Sequence, residues 1–130
     1  MAFLPLTTQE ELTGKIIVDA AYKVHRALGP GLLENVYELC FCHELFKQGL
    51  RVERQVPIPI TYNGINFEVA FRMDVLVDNL VVCELKSVEA LHPVFYSQLL
   101  TYMKLGQKRL GYLVNFNVAT IKEGVKRLIL

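Results

Sequence analysis

Apolar residues near the start of the chain recur at the three-to-four-residue spacing of an amphipathic helix. The pattern runs from Thr7 to Leu28 and predicts a first helix. Thr7 and Thr8 each have a glutamate three residues later, which is the spacing of a capping box. The Gly-Pro-Gly sequence at residues 29–31 ends the pattern, because proline removes a backbone donor and glycine frees the backbone. A second helical pattern covers residues 32–48, and Gly49 is placed to cap it.

From Arg51 onward the apolar residues alternate with polar residues or prolines, which predicts β-strands. Pro57 and Pro59 lack the N–H that a ladder needs, so the first strand is expected at a sheet edge. Asn63-Gly64 is a hairpin turn signal, and Pro93 suits the first turn of a helix. The predicted elements are a strand from Arg51, strands at Ile65–Val77 and Leu80–Lys86, a helix at Pro93–Leu105, a strand at Leu110–Asn115 and a helix at Thr120–Arg127.

The predicted order of elements is therefore α-α-β-β-β-α-β-α, an α/β (α+β) arrangement in which a mixed central sheet is flanked by helices. We expect it to form one domain over residues 1–130, a length that can bury a continuous core. Hydrophobic residues make up 52% of the chain, which argues against a disordered protein.

The net charge, the cysteines and the N-terminal residues limit which functions and cellular locations fit this sequence. The net charge is +1, so a nucleic-acid-binding surface would have to be a local basic patch. Cys40, Cys42 and Cys83 are odd in number and lack CxxC spacing, so we interpret them as small core residues. Residues 1–5 lack a signal-peptide pattern, and no apolar run is long enough to cross a membrane. A cytoplasmic location without membrane attachment is expected.

The most informative segment is the hairpin predicted over residues 65–86. Glu84 and Lys86 are two residues apart, so on a strand they share a face. Asp74 joins that face if the loop has an odd number of residues, and a loop at residues 78–80 places Asp74 opposite Glu84. Directly opposed residues have their Cβ atoms about 4.5–5.5 Å apart.

Two carboxylates so close repel each other on an apolar hairpin, and a divalent cation relieves that repulsion. Carboxylate oxygens suit Mg²⁺ or Mn²⁺, and Mg²⁺ takes few protein ligands and keeps waters and phosphate oxygens. Lys86 beside such a cation is placed to orient a water or to neutralise charge on a phosphate. The competing interpretation is a solvent-facing hairpin with ordinary charges. The apolar neighbours of these residues weigh against it, because they predict a hairpin buried on both faces.

Several motifs resemble those of a known family. Asp74 followed by Glu84-Leu85-Lys86 resembles the signature of the PD-(D/E)XK nucleases, with Met73 in place of the proline. Residues 31–37, Gly-Leu-Leu-Glu-Asn-Val-Tyr, resemble the motif of the GxxExxY protein family, which is assigned to that superfamily. Further similarities to that family lie at Leu28-Gly29-Pro30, at Gln98 with Tyr102, and at Leu113-Val114-Asn115-Phe116. Together the similarity extends over residues 10–130.

The resemblance implies a restriction-endonuclease-like core. It also implies a metal-dependent phosphodiesterase that acts on nucleic acid, and DNA is the expected substrate. It implies that Asp74, Glu84 and the backbone carbonyl of Leu85 hold Mg²⁺ or Mn²⁺. Lys86 is implied to orient the attacking water. Glu34 is implied to approach the same cation from the second helix, often through a bound water.

Other residues keep alternative interpretations. Glu34 lies in the first turn of its helix, where the helix dipole alone favours a carboxylate. Gln98 is implied by the resemblance to help place Lys86 or a phosphate, whereas Tyr102, one turn later, is interpreted as a packing residue. His25 precedes the Gly-Pro-Gly bend, and a position near the site is one alternative for this residue. The basic residues Lys104, Lys108 and Arg109 form either a phosphate-binding cluster or a solvated face.

Two functions compete at this point. The acid–acid–lysine constellation favours a nuclease, and the near-neutral charge favours a non-catalytic nucleic-acid-binding or accessory domain. Because the chain is apolar for its size and offers little area to grip a duplex, a homodimer is also expected.

Overall fold

The computed structural model describes the chain from residue 4 to residue 130, apart from the side chains of residues 69 and 70. Residues 1–3, the start of the segment interpreted above as lacking a signal peptide, lie outside the described part. The elements in chain order are α1 (Thr8–Leu28), α2 (Glu34–Lys47), β1 (Val52–Tyr62), β2 (Ile65–Val77), β3 (Val81–Lys86), α3 (Pro93–Leu105), β4 (Leu110–Asn115), α4 (Ile121–Gly124) and β5 (Val125–Ile129). Within that described range, no helix is long and apolar enough to span a bilayer.

The strands of the described chain form one five-stranded sheet in the order β1-β2-β3-β4-β5. β1, β2 and β3 are antiparallel neighbours, whereas β3 and β4 are parallel and are joined through α3. β5 then pairs antiparallel with β4. The predicted mixed sheet flanked by helices is confirmed, and so is the edge position of β1.

The first helix begins at one of the two predicted capping boxes. The Thr7 side chain accepts the N–H of Glu10 at 3.1 Å, and the Glu10 carboxylate accepts the N–H of Thr7 at 2.7 Å. Two orphan N–H groups at the helix start are satisfied in this way, which fixes α1 from Thr8 onward.

The prediction of a helix over Thr120–Arg127 is wrong for its second half. The structure has a single helical turn at Ile121–Gly124, followed by the strand β5. The backbone of β5 pairs along the free edge of β4, and Val125 and Leu128 pack on opposite cores of the sheet. Tertiary pairing overrides the local helical pattern here.

Two hydrophobic cores lie on opposite faces of the sheet. The α1–α2 side includes Ile17, Tyr37, Phe41, Leu45, Val75, Cys83, Leu85, Val114 and Phe116. The α3 side includes Ile58, Met73, Leu76, Val82, Leu99, Met103 and Leu113. Because side chains alternate along β3, Glu84 and Lys86 leave that strand toward α3.

The cysteines occupy core positions, as their spacing predicts. Cys42 and Cys83 are buried, Cys40 is half-buried, and all three are free thiols. Burial raises the pKa of Cys42 to about 12 and raises that of Cys83 well above its ordinary value. These two thiols are therefore neutral and unreactive at physiological pH.

Candidate active site

Two carboxylates meet where β2 and β3 separate. The strands pair in the predicted register, with Val77 opposite Val81 across a three-residue loop, and the ladder stops one position short of Asp74 and Glu84. There the Asp74 N–H donates to Oε1 of Glu84 at 3.1 Å, and the Leu85 N–H donates to Oδ2 of Asp74 at 2.9 Å. Both side chains thus reach into the gap between the strands, in the place of ladder hydrogen bonds.

Ionisation of both carboxylates of this pair is unfavourable. Glu84 is only 5% exposed. Burial first, and the negative charge of Asp74 second, raise the pKa of Glu84 to about 9, while the charge of Lys86 acts in the opposite direction. Two carboxylates at this position therefore hold a proton between them at neutral pH.

The donor set fits a hard divalent cation. Two adjacent carboxylates match the oxygen ligands of Mg²⁺, which takes one or two carboxylates and completes its shell with water. Across the described residues, no group of three or more His, Cys, Asp or Glu side chains comes together to hold a metal. Glu34 therefore does not complete a three-carboxylate cluster with Asp74 and Glu84.

A cavity of about 160 Å³ opens beside Asp74 on the α2 side of the sheet. It is lined by Glu34, Asn35, Glu38, Gln55, Asp74 and Leu85. Glu34 is exposed and makes no capping hydrogen bond at the start of α2. The cavity has room for several waters, since a water occupies about 30 Å³ in the liquid.

The loop before α2 explains why Glu34 borders this cavity. Gly31 has a φ of 97°, which glycine adopts without strain. The Tyr37 hydroxyl donates to the carbonyl of Gly29 at 2.6 Å and accepts the N–H of Leu32 at 3.1 Å. The Ser87 hydroxyl donates to the carbonyl of Leu32 at 2.6 Å. The loop is thus fastened to α2 and to the segment after β3, which brings the start of α2 beside the end of β3.

Sequence reasoning missed a polar cluster on the wall of the cavity. Glu38 is 6% exposed and binds the guanidinium of Arg54 and the side-chain amide of Gln55. The available signal was that Glu38 lies four residues after Glu34, so the two share a helix face.

On the α3 side, the ammonium of Lys86 lies 4.5 Å from the centre of the Phe95 ring. Gln98 is exposed and lies one turn from both Phe95 and Tyr102. Burial and the charges of Glu84 and Asp74 raise the pKa of Tyr102. The predicted residue Gln98 lies between Phe95 and Tyr102 on α3, and Phe95 is a neighbour of Lys86 that the sequence did not reveal.

Other candidates lie elsewhere. Nε2 of His25 lies 2.7 Å from the carbonyl oxygen of Val118, so this residue joins α1 to the segment before α4. Arg109 donates to the carbonyls of Leu130 and Pro5, and Lys108 donates to the side chain of Asn79. Both basic side chains are engaged by protein oxygens, which favours a structural interpretation of that cluster.

Comparison with known proteins identifies the superfamily of this chain. No curated protein and no solved structure gives a significant match to the chain. The family model of the PD-(D/E)XK nuclease superfamily matches residues 10–128, from the first turn of α1 to β5. The match includes the paired carboxylates, the lysine two residues after the second of them, and the mixed sheet that presents them. The chain therefore belongs to the PD-(D/E)XK nuclease superfamily.

Proposed function

We propose that this protein is a divalent-cation-dependent nuclease that hydrolyses phosphodiester bonds of nucleic acid. Membership of the superfamily supports nuclease activity in general. The observation that supports dependence on a divalent cation is the pair Asp74 and Glu84, whose carboxylates meet in the strand gap. Lys86 lies on the same strand as Glu84.

Asp74, Glu84 and the carbonyl of Leu85 would hold Mg²⁺ or Mn²⁺, and Glu34 would act on it through a water in the cavity. When bound, the cation supplies positive charge to the phosphate oxygens and lowers the pKa of a coordinated water. The raised pKa of Glu84 supports this assignment, because a cation offsets the cost of a negative charge on the buried Glu84 beside Asp74.

Lys86 and Gln98 would act on the substrate from the α3 side. The Lys86 ammonium orients the attacking water and offsets negative charge as it develops on the phosphate. The Phe95 ring beneath it restricts where that ammonium lies. The exposed Gln98 side chain can donate to a phosphate oxygen or to the lysine's surroundings.

We also propose that the chain is a GxxExxY-type member of the superfamily. The glycine, glutamate and tyrosine of that motif each have a distinct place in the structure. Gly31 takes a positive φ, Glu34 borders the cavity, and the Tyr37 hydroxyl bonds the loop before α2 at Gly29 and Leu32. These contacts give a physical reason for all three residue types.

The test is cleavage of circular DNA, linear DNA and RNA, with and without Mn²⁺. We expect cation-dependent cleavage of DNA that is lost in Lys86→Ala and in Asp74→Asn. Glu44→Gln is the matched control, because Glu44 lies on α2 in an ion pair with Lys47, away from the cavity. Absence of cleavage in the wild type on all substrates would favour the non-catalytic accessory domain.

A further inference from the structure

The buried carboxylate of Glu38 is fully engaged by β1. Its Oε2 accepts from Nη2 of Arg54 at 2.6 Å and from Nε at 3.1 Å. Its Oε1 accepts from the side-chain amide of Gln55 at 2.9 Å. Consecutive residues of a regular strand point to opposite faces, so one helical carboxylate does not normally reach both.

The backbone of Gln55 explains the exception. Gln55 has a φ of 52°, in the left-handed region that a residue with a side chain seldom adopts within a strand. By register it lies opposite Asp74, yet the ladder pairs its neighbours Arg54 and Val56 and skips this position. A strained conformation of this kind persists when the surrounding structure holds it, and such positions cluster at functional sites.

The distortion is shared by β2 at the same level. Val75 packs in the α1–α2 core, whereas Met73 packs in the α3 core, although two residues apart on a regular strand share a face. Asp74 lies between them, at the step where the strand changes face. The Asp74 carboxylate accordingly reaches the gap beside β3.

We propose that Glu38 is a positioning residue: through Gln55 and Arg54 it holds the left-handed backbone of β1 at Gln55, opposite Asp74, and so lets the Asp74 carboxylate reach into the strand gap. The ion pair with Arg54 alone would not require the left-handed backbone of Gln55, whereas that backbone accompanies the contact of Glu38 with both residues. The catalytic significance of this role rests on the proposed function, whereas the placement of Asp74 does not.

The first test needs neither metal nor activity. The Leu85 N–H is bonded to the Asp74 carboxylate, so its hydrogen exchange in metal-free protein reports where that carboxylate lies. We expect exchange at Leu85 to speed up at least tenfold in Glu38→Gln and in Gln55→Gly. Exchange at Cys83, inside the intact ladder, stays as in the wild type.

Gln55→Gly keeps the test decisive if Glu38→Gln fails to fold. Glycine accepts the positive φ, so this variant loses the amide contact without gaining backbone strain. We expect its melting temperature to equal or exceed that of the wild type. Glu44→Gln, on the same helix but away from the cavity, is the control for any loss of charge on α2. Unchanged Leu85 exchange in both cavity variants would overturn the proposal.

Kinetics separate this inference from the proposed function. If the wild type cleaves nucleic acid, both cavity variants should lower kcat at least tenfold and leave KM for the substrate unchanged. A fall in melting temperature with normal kcat would assign Glu38 a structural role only and overturn the proposal. If the wild type cleaves nothing while Leu85 exchange responds as expected, the nuclease proposal fails and the positioning role of Glu38 is supported.

Discussion

Asp74 donates its backbone N–H to the carboxylate of Glu84, and through its own carboxylate it accepts the N–H of Leu85. In a regular hairpin these positions hold backbone ladder bonds between two strands. The protein thus places two adjacent acidic groups, the buried Glu84 and the half-buried Asp74, where a regular strand pair has neutral backbone groups. That arrangement opposes stability in the absence of a cation, and it connects the fold directly to the proposed chemistry.

Replacing Glu84 should stabilise the metal-free protein at alkaline pH. The pKa of Glu84 is raised from 4.5 to about 9, so between these values the folded chain binds more protons than the unfolded chain. Stability contributed by the protonated carboxyl is present below the unfolded pKa and is lost as pH rises through the folded pKa. The loss is at most about 1.4 kcal/mol per pH unit, the limit for one proton.

Urea unfolding of wild type and Glu84→Gln in EDTA, between pH 5 and pH 9, measures this difference. We expect the variant to be the more stable protein at pH 8, with an advantage that shrinks toward pH 5. The remaining titrating groups are common to both proteins, so the difference reports the titration of the Asp74–Glu84 pair. Parallel stability curves would contradict the buried, proton-sharing pair.

Replacing Glu34 should reduce activity without reducing stability. The side chain is exposed and makes no cap, so Glu34→Gln loses only a helix-dipole contribution of a few tenths of a kcal/mol. If its charge holds a water on the cation, cleavage should fall tenfold or more, a barrier increase of about 1.4 kcal/mol. Single-turnover cleavage and thermal unfolding of Glu34→Gln test whether Glu34 acts on the cation, and Glu44→Gln is the control variant. A wild-type cleavage rate in Glu34→Gln would limit this residue to a role at the start of α2.

Replacing Phe95 should affect Lys86. The ring lies under the ammonium at 4.5 Å, a contact that contributes about 0.5–1 kcal/mol at exposed sites and more where water is excluded. We expect Phe95→Leu to reduce the cleavage rate about threefold to tenfold, with ~1.4 kcal/mol for each tenfold. Phe95→Tyr should retain most of the rate because it keeps the aromatic face. Equal rates in the leucine and tyrosine variants would show that the ring does not place the lysine.

Replacing Gly124 should destabilise the fold near the site. A Cβ at this position would overlap the backbone carbonyl oxygen of Asn115, which has no freedom to move. The Asn115 side chain bonds both the N–H and the carbonyl of Val88, so it also fixes the segment after β3. We expect Gly124→Ala to cost about 1–3 kcal/mol of unfolding free energy.

The comparison variant is Gly106→Ala. There the nearest atom to the added Cβ is the terminal methyl of Met73, the far end of a flexible side chain. A smaller loss is expected, and chemical denaturation of both variants measures it. A cost for Gly106→Ala equal to that of Gly124→Ala would contradict the backbone overlap as the cause.

Local sequence patterns determined much of this protein. Periodicity and turn residues gave the bounds of β2, α3 and β4 as the structure has them, because each depends on neighbours within a few residues. The side-chain period of two, with an odd hairpin loop, was sufficient to place Asp74 opposite Glu84. The place of Glu34 was implied by the resemblance of residues 31–37 to the GxxExxY family and not by the local pattern, and Glu34 borders the cavity.

The tertiary structure alone decided the rest. β5 forms because β4 presents a free edge, a condition that no window of the sequence contains. The contacts of Lys86 with Phe95, and of Glu38 with Arg54 and Gln55, join residues on different elements. Such contacts depend on how helices pack on the two faces of the sheet, and packing is set by the sum of many weak, non-local interactions rather than by local period.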